Sequence, residues 1–410
     1  MLDFALARTG RPVLIQAQTV RLLAFGFTAC FFSAFGQTFY IALFNPHWRA
    51  AFELSNAGVG AIYSAATLLS GFAIIHAGQL IDRVPLARFV TVSVLVFALG
   101  CVLLAATPAA WMLLPAIFLV RFCGQGLMTH VALSSMARFF ERARGRAIGT
   151  ATLGFPAGEA IFPITVVAAI AALGWRGVWW ITAVGLVLLV LPLMLWLPGG
   201  TRRRPPETVS SAGASRGEVL RDTRFYRVLP VLLAAPFIIT GLFFHQAALA
   251  AAQGWPLAVL AAAFIGFALT QVASALLTGW LIDRLGARNL LRFFLLPIGL
   301  GASLLYFGEA RWVAFVYMAL AGLSAGANSS LGGALWAELY GTRHIGAIRS
   351  MHTSLMVFST ALSPVLLGVL LDAGAGMPTL ALAMGLCALA VGPLLGGAAR
   401  RPPPAGMATG

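Results

Sequence analysis

The chain has 410 residues, of which 60% are hydrophobic and only 10% charged, with 27 basic residues against 12 acidic ones and a net charge of +15. Soluble domains carry roughly 25% charged residues, so this composition excludes a water-facing globule and points to an integral membrane protein. The positive balance does not mark a nucleic-acid binder, because the basic residues, all arginine, lie between apolar runs and form no basic face interleaved with aromatics.

Runs of about 18 or more apolar residues read as membrane spans. They predict helices over 19-44, 57-80, 88-107, 110-136, 147-172, 177-198, 228-252, 258-281, 290-307, 312-337, 350-371 and 378-398, twelve in all. Asp3, Arg8 and Arg11 interrupt any cleavable signal ahead of the first run, so the first helix is expected to act as its own insertion signal. Cys30, Cys101, Cys123 and Cys387 fall within spans without metal-ligand spacing and read as small packing residues.

Short loops rich in arginine stay on the cytoplasmic side. Only Arg49, Arg176 and Arg311 fall in loops of one side and Arg121 falls inside a span; the remaining arginines share the other side with both termini. The expectation is a multi-pass protein of the inner (plasma) membrane with both termini cytoplasmic. Pro198 to Arg227, with Arg202-Arg203-Arg204-Pro205-Pro206, cannot form an apolar core. It reads as a tether, with a short surface helix from Gly217 to Tyr226 and a basic stretch suited to anionic membrane lipids. The chain therefore divides into a six-helix bundle at 1-198, a cytoplasmic linker at 199-227, a second six-helix bundle at 228-398 and a disordered cytoplasmic tail at 399-410.

An internal repeat relates the two bundles. Gly78-Gln79-Leu80-Ile81-Asp82-Arg83 and Gly279-Trp280-Leu281-Ile282-Asp283-Arg284 lie 201 positions apart, Arg146-Ala147-Ile148-Gly149 matches Gly346-Ala347-Ile348-Arg349, and Pro163 and Pro364 fall at corresponding depths. On these residues the chain resembles the major facilitator superfamily, whose loop motif Gly-x-Leu-x-Asp-Arg-x-Gly-x-Arg the stretch Gly279 to Arg288 fits in full. The first copy departs from it at Pro85 and Leu86. The resemblance implies an all-α membrane protein with twelve transmembrane helices in two six-helix pseudo-symmetric bundles, and a gating role for Asp82, Arg83, Asp283, Arg284 and Arg288. An aspartate can meet the positive end of a neighbouring helix there and an arginine can bridge to carbonyls or acids. Phe139 to Gly158 also resembles the fifth-helix signature of the monocarboxylate porter branch, through Phe140, Arg142, Arg144, Ala147, Gly149, Ala151, Gly154 and Gly158. Ala143, Arg146 and Leu153 differ, and Ala34-Phe35-Gly36-Gln37 lacks that branch's acidic residue.

Inside the spans one cation matters most. Arg121 lies about eleven positions into the fourth span, roughly 16 Å deep in a core about 30 Å thick. An arginine at that depth costs about 2.5 to 3.5 kcal/mol to insert, so it should face the bundle interior and meet an anion. Glu159 in the fifth span reaches a similar depth. The repeat places Ala321 and Ser359 opposite these two, and an unduplicated pair points to a site. The expectation is that Arg121 receives a substrate anion while Glu159 takes a proton; a permanent ion pair fixing helix packing is the structural alternative. Helical spacing adds Gln125 and Thr129 to the stripe of Arg121, and Ser33, Gly36, Gln37 and Tyr40 on the first helix. In the second half His245 and Gln246, Ser324 and Asn328, and His352, Ser359 and Ser363 are the polar candidates.

Substrate binding is thus assigned to Arg121, Gln37, Tyr40, Gln125, His245 and Asn328, and proton coupling to Glu159. The function expected is secondary active transport of a small organic anion, such as a monocarboxylate, by symport with protons through alternating access at the interface of the bundles. A proton-coupled exporter of amphipathic compounds is the alternative within the same class. The partners expected are a small-molecule substrate, protons and membrane lipids, without nucleic acid and without a second copy of the chain. The rival classes are a polytopic membrane enzyme and a non-transporting receptor. Gly322-Leu323-Ser324-Ala325-Gly326 spells the Gly-x-Ser-x-Gly of serine hydrolases, but that motif needs a strand-to-helix turn, and here it falls inside an apolar helix. No zinc or nucleotide-binding motif is present, so no cofactor, metal or catalytic residue is expected.

Overall fold

The computed structural model describes residues 11–140, 143–199, 216–341 and 344–397. Among these every regular element is helical. The first span is Ala17–Phe52, followed by Asn56–Ala77, Leu86–Ala106 and Ala110–Phe139. Arg144–Trp196 holds two spans, because the chain turns at Gly174. There φ is +68°, a left-handed conformation open to glycine without a Cβ clash. The seventh and eighth spans are Thr223–Phe244 and Leu257–Leu285, the ninth is the shorter Leu296–Phe307, and Trp312–Tyr340, Ile348–Asp372 and Met377–Gly396 complete the set. Among the described residues, ten long apolar helices and the shorter Leu296–Phe307 are consistent with the twelve expected from apolar run length.

The surface inverts the rule for soluble proteins. Leu394, Leu276 and Leu188 are 77%, 74% and 72% exposed, as suits side chains that meet lipid rather than water. The linker is shorter as a helix than expected: Arg216–Arg221 is helical, Asp222 interrupts, and the seventh span begins at Thr223. Asp222 is the reason, since its side chain accepts the backbone N–H of Arg224 at 2.9 Å and so starts a new helix. Arg202, Arg203, Arg204 and the tail from 398 onward lie outside the described residues.

Close contacts group the chain into two compact units that interleave the sequence. Unit 1 takes Met1–Gln37, Leu69–Gly158 and Leu173–Glu207; unit 2 takes Thr38–Leu68, Glu159–Ala172 and Thr208–Gly410. Within unit 1 the start of the first span packs against the end of the fourth and the start of the fifth. Phe25, Ala29, Cys30 and Met136 are buried there. Within unit 2 the eighth and tenth spans pack along their length. Thr270 Oγ1 donates to the Ala319 carbonyl at 2.8 Å and Ser274 Oγ to that of Leu323 at 2.6 Å. Gly322 and Gly326 sit against the backbone of Phe267 and Gln271, with no room for a Cβ. Ser324 between them donates to the Phe294 carbonyl at 2.7 Å and accepts from Ile298 N at 3.0 Å. The hydrolase-like string is therefore a helix-packing surface of small residues.

Candidate functional site

Two departures from regular helix meet inside unit 1. The fourth span is α-helical over Leu113–Val120, runs as a wider π-helix over Arg121–Met128, and returns to α at Thr129–Phe139. Such widened turns are costly for the ladder of backbone bonds and gather at functional sites. The first span narrows instead, into a 3-10 turn at Ser33–Gly36, then opens at Gln37 with φ −85° and ψ 157°. Irregular backbone at membrane depth survives only where protein or a cavity covers it, and here each irregular segment covers the other. A Cβ on Gly36 would lie 2.5 Å from the Val120 carbonyl oxygen, and one on Gly124 would lie 2.7 Å from the Gly36 Cα.

Arg121 opens the widened turn. It is 3% exposed, and its Nη1 donates to the carbonyl of Gly36 at 3.1 Å. A helix that breaks leaves carbonyls without an intrahelical N–H, and the guanidinium answers one of them. A planar fork of five N–H donors can do this and also present donors to a carboxylate. Gln37 is half-buried and Gln125 exposed, both in unit 1 with Arg121. Ser33 donates to the Cys30 carbonyl at 2.6 Å and thereby tightens the 3-10 turn.

Tyr40, Glu159 and the polar candidates of the second half belong to unit 2. Tyr40 is buried, with its ring edge-on to Phe162 at 6.2 Å. His245 is buried and its Nε2–H donates to the Pro364 carbonyl at 2.8 Å. That bond ties the seventh span to the eleventh. Gln246 donates to the Phe39 carbonyl at 3.1 Å, and Ser363 to that of Phe237 at 2.8 Å. Asn328 Oδ1 and His352 Nε2 are buried with no hydrogen-bond partner among the described residues. Glu159, expected beside Arg121, falls in unit 2 while Arg121 falls in unit 1. Its Oε2 is buried with no hydrogen-bond partner among the described residues. Alanine and leucine stretches hide the ring cluster of this unit from a search for polar groups: Phe243 lies 4.7 Å from Phe264, Phe39 lies 5.7 Å from Phe264, and Tyr63 lies 4.6 Å from Phe244.

The duplicated loop motif folds differently in its two copies. Gly286 takes φ +78° and closes the eighth span. The equivalent Pro85 is held at φ −52° and opens the third span instead. In the second copy Arg288 forms an ion pair with Glu338 of the tenth span, Nε to Oε2 at 3.8 Å, and donates to the Glu338 carbonyl. Glu338 Oε1 also accepts the Ala287 N–H at 2.6 Å. Arg288 is thus engaged within unit 2, by an acid that motif reading did not single out. Arg284 stacks on Trp280 at 3.9 Å, while Asp283 and Arg83 are exposed. The side chain of Asp82 lies outside the described residues.

A buried polar cluster at the start of the seventh span was also invisible to motif reading. Asp222 pairs with Arg224 at 2.8 Å and accepts from Tyr340 Oη at 3.1 Å. Burial alone would raise this carboxyl, but the bonds from Arg224 and Tyr340 outweigh it and hold the group below its ordinary value. The signal available in sequence was local, an aspartate immediately before a helix.

Comparison with known proteins supplies the family. A sequence model of the Major Facilitator Superfamily matches residues 26–266 and 245–409. The chain is 30% identical to the 3-(3-hydroxy-phenyl)propionate transporter of Escherichia coli (strain K12) over 288 residues, covering 67% of each protein. Among solved structures it is similar to a bacterial homolog of the human lysosomal transporter Spinster. In the inward-facing, occupied conformation of that protein the TM-score is 0.65 at 18% identity, covering 95% of this chain and 91% of the other. In its inward-facing, unoccupied conformation the TM-score is 0.60 at 17% identity, over 95% and 92%. Long apolar helices, an internal repeat with its loop motif, and a family match across nearly the whole sequence agree: the chain belongs to the Major Facilitator Superfamily of membrane transporters.

Proposed function

We propose that this transporter carries a small organic anion with a carboxylate group, seated on Arg121, and couples its movement to protons through Glu159. The observation that carries the reading is the setting of Arg121: a guanidinium buried within a span, at the point where one helix widens and another breaks. Scaffolding alone has little use for it, since apolar residues of similar volume hold helices at least as well as buried charge. Broken helices at the centre of a bundle are where carriers bind their solutes. The related transporter of 3-(3-hydroxy-phenyl)propionate supports an aromatic carboxylate as the first substrate to try. Glu159 supports the coupling role as a buried carboxyl whose Oε2 has no hydrogen-bond partner among the described residues, so a proton can come and go without breaking an internal bond. The sequence halves 1-198 and 228-398 are the moving repeats, in a monomer. On the distribution of arginine, both termini are cytoplasmic in the inner membrane of a bacterium.

Counterflow in proteoliposomes tests the transport cycle. Vesicles loaded with unlabelled 3-(3-hydroxyphenyl)propionate are expected to accumulate the labelled compound transiently and saturably, and to take it up net when an inward proton gradient is applied. Binding without flux would mean a receptor, and flux without saturation a channel; either overturns the proposal.

A further inference from the structure

Within unit 2, the arginine-poor ends of the spans carry contacts that the anion site does not use. Asn56 opens the second span and Asp372 closes the eleventh. Asp372 Oδ1 accepts the Asn56 backbone N–H at 3.0 Å and its Nδ2 at 2.9 Å, while Oδ2 accepts the Ala57 N–H at 2.8 Å. One carboxylate therefore caps the first turn of a helix from the other half of the sequence and meets its positive dipole end. Deeper along the same two spans, a Cβ on Gly368 would lie 2.6 Å from the Asn56 carbonyl oxygen, and one on Gly60 would lie 2.7 Å from that of Pro364. Ser64 Oγ donates to the Ala361 carbonyl at 2.5 Å. The first and seventh spans are joined by reciprocal amides: Asn45 Nδ2 donates to the Phe244 carbonyl at 2.9 Å, and Gln246 Nε2 to that of Phe39 at 3.1 Å.

Asn45 and Gln246 stand 201 positions apart, the repeat offset of Asp82 and Asp283, so this amide clasp is duplicated. Asp372 is not: the same offset places Ala171 opposite it and Leu257 opposite Asn56. The carboxylate and its amide partner are thus particular to the second and eleventh spans, with no counterpart at the equivalent positions of the repeat.

We propose that Asp372, acting through Asn56 and Ala57, is the latch that holds the arginine-poor side of the transporter closed, and that its release is the step that opens that side. The inference rests on the alternating-access reading. Both oxygens are engaged, and two of their donors are backbone groups fixed by the helix, so the bond set forms only when the second and eleventh spans meet. The amide clasp and the glycine contacts close the same side without charge, and the carboxylate biases the balance between closed and open states.

Two experiments on the full chain test it. In the first, Ser64→Cys is labelled by a membrane-impermeant maleimide from the arginine-poor side, and the signal of the natural cysteines is subtracted. Adding Asp372→Ala is expected to speed labelling about tenfold, the effect of losing one charged cap on a two-state balance, with Asp372→Asn between the two. Equal rates in all three would overturn the latch. This measurement needs no substrate, so it stands even if no flux of the probe is found. In the second, Asn56→Cys with Asp372→Cys is oxidised in proteoliposomes. Counterflow of 3-(3-hydroxyphenyl)propionate is expected to fall at least tenfold, by the same population argument, and to return on reduction. A disulfide formed with flux undiminished would overturn the latch, whereas absence of counterflow in the natural protein would overturn the substrate reading alone.

Discussion

The guanidinium of Arg121 donates to the carbonyl of Gly36 at 3.1 Å, joining the widened turn of the fourth span to the broken turn of the first. Neither irregularity would be stable in lipid without the other. The close approach depends on two glycines as much as on the arginine.

Enlarging either glycine should therefore disturb the site without touching its charge. Gly36→Val must push the backbone of Val120 and Gln125 away, an overpacking cost of about 1–3 kcal/mol. Thermal unfolding in detergent should show the loss. Counterflow should fall as well, because Arg121 loses its carbonyl anchor.

Glu159→Gln separates coupling from binding. The amide keeps the shape of the carboxyl but carries no exchangeable charge state. Counterflow, which needs no net proton movement, is expected to persist, while uptake driven by a proton gradient is lost. Gradient-driven uptake by this variant equal to that of the natural protein would remove Glu159 from the coupling role.

Asp222 should make stability depend on pH at the acid end. Its folded value lies below the unfolded one, so its contribution is fully present above the ordinary carboxylate range and is lost as pH falls through the folded value. The difference in melting temperature between the natural protein and Asp222→Ala is expected to be constant from pH 8 to about 6 and to shrink below about 4. A difference that instead grew with acid would reverse the sign of the argument.

Glu338→Ala tests the second copy of the loop motif. It removes the acceptor for the Ala287 N–H and the partner of Arg288, both about one-third exposed. A partly solvated pair adds little, so the loss should be about 1 kcal/mol, mostly from the cap. Counterflow is expected to continue at a changed rate.

Much of the architecture was legible because lipid imposes it. Run length gave the spans, and the repeat of Asp82 and Asp283 gave the doubling. Arg121 stood out because charge is rare at membrane depth. What the sequence could not reveal was backbone irregularity. Nothing in Arg121 to Met128 announces a π-helix, and Ser33 to Gln37 reads as continuous helix until the packing of Gly36 on Gly124 is known. Asp372, Asn56, Glu338 and Asp222 escaped notice for a related reason. Each is an ordinary polar residue at a helix end, and its partner is set by tertiary packing, with sequence separations from 50 residues for Glu338 and Arg288 to 316 for Asn56 and Asp372. Asp222 alone could have been read locally, as a cap.

The most direct measurement of the central claim compares a carboxylate with its neutral isostere. Purified natural protein and Arg121→Ala are each titrated with 3-(3-hydroxyphenyl)propionate and with the matching carboxamide, and ligand-induced stabilisation is read from the shift in melting temperature. The natural protein is expected to be stabilised by the carboxylate and not by the amide, and Arg121→Ala, still folded, by neither. Stabilisation of Arg121→Ala by the carboxylate equal to that of the natural protein would contradict the account.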